Sequence, residues 1–469
     1  MNLLTRWPLF LFPLFGVFVV PAPAAEFKLG VAAVPINPPP GLGLAGYYHE
    51  RSHEGVLDDI QAKATVLDDG QTRAAIVVCD LISMPKWIVT GTRKLVEERT
   101  GIPGANVMMA ATHTHTAPVL DRDRRRDETD GGAKQVAQDY NQTLPKLIAD
   151  AVVAANEKRR PVRLSVAKGH EAQLAHNRRF WMRDGSVGWN PGKLNAQIVR
   201  PAGPIDPEVG VFFAETLGAK PAPVLTFVNY ALHPDTTGGV RISADYPGAL
   251  ARTLALYQGP DMLTLFANGT CGNINHTDVH WARAQGSPQE ATRLGTILAA
   301  AVFKAYPRLQ PLTNAGVLRV RSEIVPLPLP SFTPQELEQA RLDAGTAKDN
   351  TRDGFMKLVR AHRILDTAAR AGRPQEVEMQ VITLGREVAW VAWPGEIFVE
   401  LGLSAKAGSP FAHTYNVELA NGAIGYIPNK SAYPEGNYEV ESARVAAGSG
   451  EMLLTSALRM LDELAREWR

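Results

Sequence analysis

Two hydrophobic rhythms alternate along this chain. Short apolar runs rich in Val, Ile, Leu and Ala are followed by longer stretches with apolar residues at helical spacing. The clearest runs predict strands at Ala74–Ile82, Asn106–Thr114, Pro223–Leu232, Leu263–Ala267, Val388–Trp393 and Tyr415–Leu419. Helices are predicted at Ala137–Glu157, Gly248–Tyr257, Glu290–Tyr306, Pro334–Ala344, Asp353–Arg370 and Gly450–Arg469. Pro145 should kink or split the first of these, because it lacks an N–H and its ring crowds the preceding turn. Strands interleaved with helices make this an α/β protein, with a mixed sheet and flanking helices.

The apolar runs share a second property: polar, chemically capable residues come where they stop. Asn106–Ala111 runs into Thr112-His113-Thr114-His115, and Val224–Leu232 into His233-Pro234-Asp235. Leu263–Ala267 ends at Asn268-Gly269-Thr270, and Val388–Trp393 at Pro394-Gly395-Glu396. In open α/β sheets ligands bind beyond the carboxyl ends of the strands, so these endings are expected to converge on one pocket. In an extended segment His113 and His115 would share a face. That suits a pair of ligands, one ligand with one proton shuttle, or a hydrogen-bonded pair at a strand end. A catalytic zinc site needs a few such donors and an open position, and His113, His233 and Glu396 are the natural protein donors at strand ends.

Composition narrows the class. With 45% hydrophobic residues, 21% charged and a net charge of +1, the chain has no excess charge for nucleic acid or an anionic membrane surface. The two cysteines, Cys79 and Cys271, lie in apolar runs and are too few for a disulfide framework or a four-cysteine zinc site. Any metal must therefore be held by histidine, carboxylate or another oxygen. At the N-terminus, Arg6, the apolar run Leu9–Val20 and Ala22-Pro23-Ala24 have the order of a cleaved leader covering residues 1–24. Export to the periplasm or the medium is expected. No later run approaches the roughly 18 apolar residues of a spanning helix. Two segments stand apart: the charged block Asp121–Asp130, expected as a surface loop or a lid, and the proline-rich connector Pro326–Pro334.

The ordered set of motifs resembles the neutral/alkaline, non-lysosomal ceramidases. Ala111-Thr112-His113-Thr114-His115-Thr116-Ala117-Pro118 is similar to their THTHSGP signature. His233 in NYALHPDTT matches their HGTS-type histidine, and Ser243–Gly248 their SGDNKG stretch. Phe266–Asn275 resembles GNLSPN, and Trp393-Pro394-Gly395-Glu396 contains their PGE. Gly425-Tyr426-Ile427 and Asn437-Tyr438-Glu439 match the YITT…RYE pair. These anchors span nearly the whole chain.

The resemblance implies a catalytic domain over residues 25–469 that hydrolyses an N-acyl amide in a small-molecule or lipid-like substrate, using metal-activated water. It implies one Zn2+ held by His113, His233, Glu396 and Tyr426. His115 would be the acid/base, Arg178 and Tyr438 would stabilise the oxyanion or position substrate, and Asn275 would contact substrate. Two departures qualify this. Asn275 stands where the family has a serine, which removes a hydroxyl nucleophile. The chain ends at Arg469, so the β-sandwich that follows the family's catalytic domain is not expected here. A zinc esterase on the same ligands, or a non-catalytic lipid- or partner-binding homologue, are the alternatives. Oligomeric state is not legible in the sequence.

Overall fold

The structure, a computed structural model, describes residues 26–47, 51–120, 133–313, 316–347 and 351–468. The expected leader and the charged block at 121–130 lie outside those residues. All six expected strands and all six expected helices form, with ends moved by a few residues. Pro145 does not split its helix, which runs Ala133–Glu157 with the proline inside. Thr92 Oγ1 of the neighbouring helix donates to the Pro145 carbonyl at 3.3 Å.

The elements form two mixed sheets packed face to face with helices outside them. The nine-stranded sheet runs Leu263–Asn268, Pro223–Tyr230, Glu208–Thr216, Arg160–His170, Lys28–Pro35, Gln61–Asp68, Arg73–Cys79, Val107–Ala111, with Gln310–Pro311 added beside Arg160–His170. The four-stranded sheet is Leu318–Leu327, Gln375–Leu384, Val388–Ala392, His413–Val417. The connector expected at Pro326 begins inside this sheet's edge strand, a position that tolerates a missing N–H. Between the sheets lies a core that includes Leu29, Ile76, Met108, Phe212 and Phe227 from one and Trp390 and Tyr415 from the other. Helices Lys86–Thr100 and Ala133–Glu157 cover the outer face of the large sheet around the N-terminal strands. Val399–Gly408 and Ser449–Arg466 cover the outer face of the small one.

Parallel pairing sets where the chemistry falls. Arg73–Cys79 pairs in parallel with Val107–Ala111, Pro223–Tyr230 with Leu263–Asn268, and Val388–Ala392 with His413–Val417. Each pair needs a crossover, and each uses a helix: Lys86–Thr100, Asp245–Gln258 and Val399–Gly408. His113, His233 and Glu396 each follow a strand of one of these pairs. The large sheet coils so that its two edge strands approach one another without closing into a barrel. Asn268 Nδ2 reaches Thr112 O at 3.4 Å across that gap, and Ala110 bridges Ala420, in the segment that follows the second sheet's strand His413–Val417. The convergence read from the strand endings is therefore real, and curvature of the large sheet produces it.

Trp390 is the pivot of the core between the sheets, at 1% exposure, with its ring 5.2 Å from Phe212 edge-on and 5.8 Å from Tyr415. Trp390→Ala should cost about 3–5 kcal/mol, the usual range for emptying such a site, read as a lower urea midpoint at an unchanged slope.

Candidate metal centre

The strand bearing the His-x-His pair ends at Ala111, before either histidine. His113 is left-handed, with φ of 74°, which a residue with a Cβ adopts only at a cost. The two imidazoles thus do not share the face of a strand, as extended geometry would have it. They are brought together by a loop that turns sharply at His113. That turn is fixed by the His113 N–H donating to Leu81 O at 2.9 Å and by Nδ1 against Ile82 O at 2.7 Å. Both acceptors lie just beyond the neighbouring strand Arg73–Cys79.

His233 is fully buried, and its Nδ1 faces Cys271 O at 2.8 Å. A backbone carbonyl can only accept, so both histidines carry their proton on Nδ1 and turn the Nε2 lone pair inward. Both Nε2 atoms meet the same oxygen, Glu396 Oε2, each at 3.4 Å. His115 Nε2 lies 3.3 Å from His113 Nε2, and its Nδ1 faces Gly46 O at 3.2 Å. Gly46 has φ of 95° and packs so tightly on the imidazole that a Cβ would fall 2.6 Å from its Nδ1. Among the described residues, His113, His115 and His233 form one group able to hold a metal ion, their ligand atoms within 4.8 Å of one another.

The electrostatics fit a cation there. One proton can bridge only one of the contacts among His113, His233 and Glu396. His233 Nε2 and Glu396 Oε2 are both buried without a hydrogen-bond partner, and such orphaned acceptors normally mark a missing ligand. Burial, then the neighbouring His113, pushes the His115 imidazole down to about 3; burial and Arg178 push His233 down to about 4. His113 is desolvated too, but the Glu396 charge lifts it above its usual value. Against its own desolvation, Glu396 is held well below the carboxylate range by His113 and His233.

Tyr426 joins this group through the backbone. The segment Glu396–Ile397 pairs in parallel with Tyr426–Ile427, register Glu396↔Tyr426. Gly395 permits the approach, since a Cβ would sit 2.6 Å from Gly425 O. Burial and the Glu396 charge raise the Tyr426 phenol well above its ordinary value, opposed by Arg178. The Tyr438 ring stands 5.3 Å from the Tyr426 ring, edge-on. The guanidinium of Arg178 lies 5.4 Å from the Tyr426 ring centre and 5.9 Å from that of Tyr438.

Arg178 is buried, and its Nε donates to Glu439 Oε1 at 2.8 Å while a terminal nitrogen donates to Gly272 O at 2.7 Å. Arg179 takes the other oxygen of Glu439 at 3.0 Å and also pairs with Glu435. Asn275 lies on a two-residue ladder beside His176–Asn177, next to Arg178. Its Nδ2 donates to Asn190 Oδ1 and its Oδ1 accepts from Thr277 N, both at 3.0 Å, so only one hydrogen and one lone pair remain for a substrate.

All eight expected site residues therefore fall in one region, linked by direct contacts or by the short ladder at Asn275. Sequence reasoning passed over several of their supports. Glu439 is fully buried beneath two arginines; the motif around Tyr438 contains it, but nothing in the sequence marks it as buried. Arg51 donates to His115 O at 2.6 Å and to Ala45 O at 2.5 Å, fixing the loop behind the second histidine. Asp235 pairs with His276 at 2.8 Å. Glu418, at the end of the strand His413–Val417, accepts from Cys271 N at 2.5 Å.

No protein-family model and no curated protein matches the chain. Among solved structures, it shares its fold with the crystal structure of neutral ceramidase from Pseudomonas aeruginosa. That match has a TM-score of 0.71 over 94% of this chain and 75% of that one, at 16% identity. A structure described as ceramidase complexed with C2 matches at a TM-score of 0.70, over 94% and 76%, at 15% identity. The chain has the neutral ceramidase fold. The resemblance read from the motifs thus extends to the architecture, although so few identical residues carry the fold alone. Among the described residues of this ceramidase-like chain, no helix is long and apolar enough to cross a membrane.

Glu439 is the clearest liability of the site, since losing one partner of a buried ion pair leaves an uncompensated charge. Glu439→Gln should destabilise the protein by about 3–5 kcal/mol in urea unfolding, while exposed pairs such as Lys94–Glu98 contribute at most about 1 kcal/mol.

Proposed function

We propose that this chain is a zinc-dependent amidohydrolase cleaving the N-acyl amide of a lipid-like or related substrate. The observation that carries the reading is the meeting of two Nδ1-protonated imidazoles on one carboxylate oxygen, inside a fold shared with ceramidases. Four ligands around zinc at about 2.0–2.1 Å lie roughly 3.4 Å from one another. That is the His113–Glu396 and His233–Glu396 separation of 3.4 Å. His113, His233 and Glu396 would hold the ion, with Tyr426 as the fourth protein ligand. The buried phenol beside Glu396 holds its proton tightly, and a bound cation would compensate the charge if Tyr426 gave that proton up to become a ligand.

When bound, zinc supplies a Lewis acid and brings the pKa of water towards neutrality. The protein's own groups do the rest. His115 is the one imidazole of the three that is partly exposed, and it exchanges protons: it takes one from the attacking water and returns one to the leaving amine. Arg178 keeps its charge despite burial because Tyr426 and Glu439 favour it. It faces the space beside Tyr426 and Tyr438, where it and the Tyr438 hydroxyl would stabilise the oxyanion of the tetrahedral intermediate. Asn275, lacking a hydroxyl that could attack, orients substrate with its remaining hydrogen-bonding capacity. The first 24 residues have the order of a cleaved leader, which would carry this activity outside the cytoplasm. N-terminal sequencing of protein from the periplasm or medium checks that placement.

The test is metal content and turnover on the same samples. The mature protein should carry one zinc per chain by elemental analysis and hydrolyse N-acyl amides; turnover of esters alone would make it a zinc esterase. His113→Ala and His233→Ala should abolish stoichiometric zinc. His115→Ala should keep zinc and lose about 10²- to 10⁴-fold in kcat. If His115→Ala loses zinc as fully as His113→Ala, the third imidazole is a ligand and the division of roles fails.

Asn275→Ala should keep its zinc and lose no more than about tenfold in kcat/KM, the equivalent of one neutral hydrogen bond. A loss near a thousandfold would assign Asn275 a part in the chemistry itself.

A further inference from the structure

Glu418 has no place in the mechanism above, yet it is a fully buried acid. Among the described residues no Lys, Arg or His stands within ion-pair distance of it. Burial pushes its carboxyl well above the ordinary range, and the nearby Glu396 adds to that. An apolar residue there would avoid the desolvation cost of the acid but would leave buried backbone N–H groups without this acceptor. What Glu418 touches is specific. Its Oε2 accepts from Cys271 N at 2.5 Å, and its Oε1 lies 3.6 Å from Cys271 Sγ. Its carboxyl also takes a backbone hydrogen bond from Ile397, the residue after Glu396.

The same two residues lead to the metal centre. Cys271 O accepts the Nδ1 hydrogen of His233, with Cys271 Sγ also 3.3 Å from that nitrogen. Gly272 N donates to Ile397 O at 2.8 Å, and a Cβ on Gly272 would sit 2.5 Å from Glu396 O, so the two loops are in direct backbone contact. Glu418 itself is anchored by its own N–H on Asn268 O at 3.0 Å. One side chain thus ties together the loop that orients His233 and the loop that carries Glu396.

We propose that Glu418 is a positioning residue for the metal centre, acting through Cys271 to fix the tautomer and direction of His233 and through Ile397 to fix Glu396. This rests on the zinc reading above. Partners of this kind typically change metal affinity by about 10- to 100-fold when removed. Because it acts through backbone groups, Glu418 matters more than the thiol it touches.

The experiment titrates Zn2+ against a chromophoric chelator with wild type, Glu418→Gln, Glu418→Ala and Cys271→Ala, and records the visible spectrum of each Co2+-loaded protein. Wild type failing to bind either ion would sink the zinc reading itself, whatever the variants do. If wild type binds, Glu418→Gln should weaken Zn2+ about 10-fold and Glu418→Ala up to about 100-fold. Both should alter the Co2+ bands, because the field at His233 and Glu396 changes. Cys271→Ala, which keeps the backbone acceptor, should stay within about threefold of wild type. Should Glu418→Ala fail to fold, Glu418→Gln carries the test alone. A folded Glu418→Gln with wild-type zinc affinity and an unchanged Co2+ spectrum overturns the proposal. So does a Cys271→Ala variant as weak as the Glu418 variants, since that would make the thiol the connecting group.

Discussion

The contact on which the site depends gathers two imidazoles on one carboxylate oxygen. His113 Nε2 and His233 Nε2 both face Glu396 Oε2 at 3.4 Å, with their protons committed to carbonyls on the far side of each ring. One proton satisfies only one of these contacts, and leaving a second acceptor unpaired in a dry interior costs free energy unless another group uses it. Everything nearby reads as structure that prevents these groups from turning away. The left-handed backbone at His113 is held by two acceptors next to one strand. Gly395 and Gly272 let the Glu396 loop press against two others where no Cβ would fit. The loops are short and buried, which leaves them few alternative conformations.

Sheet curvature is what makes such a contact possible at all. His113 follows one edge strand of the large sheet, and His233 follows the strand next to the other edge. In a flat sheet of nine strands at about 4.8 Å spacing those endings would be tens of ångströms apart. Coiling brings the edges together, and the small sheet closes the remaining side with Glu396. The aromatic core around Trp390 fills the space between the curved surfaces. Packing energy far from the candidate site therefore sets the distance between its histidines and Glu396.

This division also decides what the sequence could reveal. Strands buried on both faces and paired in parallel appear as continuous apolar runs, so Pro223–Tyr230 and Val388–Ala392 are legible together with the residues that end them. The antiparallel strands Lys28–Pro35, Gln61–Asp68 and Arg160–His170 are not, because Ala, Gly, Lys and Arg interrupt them and give a weak strand signal. Lys63 is an instance: it sits in a strand interior and is buried because Asp80 neutralises it at 3.2 Å, a pairing with no local trace. The candidate ligand residues stand in motifs whose order carries a family resemblance. Their supports, Arg51, Glu418 and Glu439, are ordinary charged residues in sequence. Only the fold shows that each is buried on a specific backbone or side-chain partner.

The three histidines are chemically identical until their second nitrogen is considered. His113 and His233 are each locked by a carbonyl in the packed interior, Ile82 O and Cys271 O, and neither can rotate without losing a buried hydrogen bond. His115 leans on Gly46 O at a longer 3.2 Å, with the partly exposed Tyr47 ring edge-on beside it at 5.9 Å. A ligand profits from rigidity, since every lost orientation in the free site is one fewer to lose on binding metal. A proton shuttle needs the opposite: a ring that can exchange its proton with solvent or substrate and shift slightly as charge moves. Arg51 grips the His115 backbone carbonyl and leaves the ring nitrogens to Gly46 O and His113 Nε2. What lies behind each ring thus differs between the neighbouring histidines, and their spacing in the sequence does not encode it.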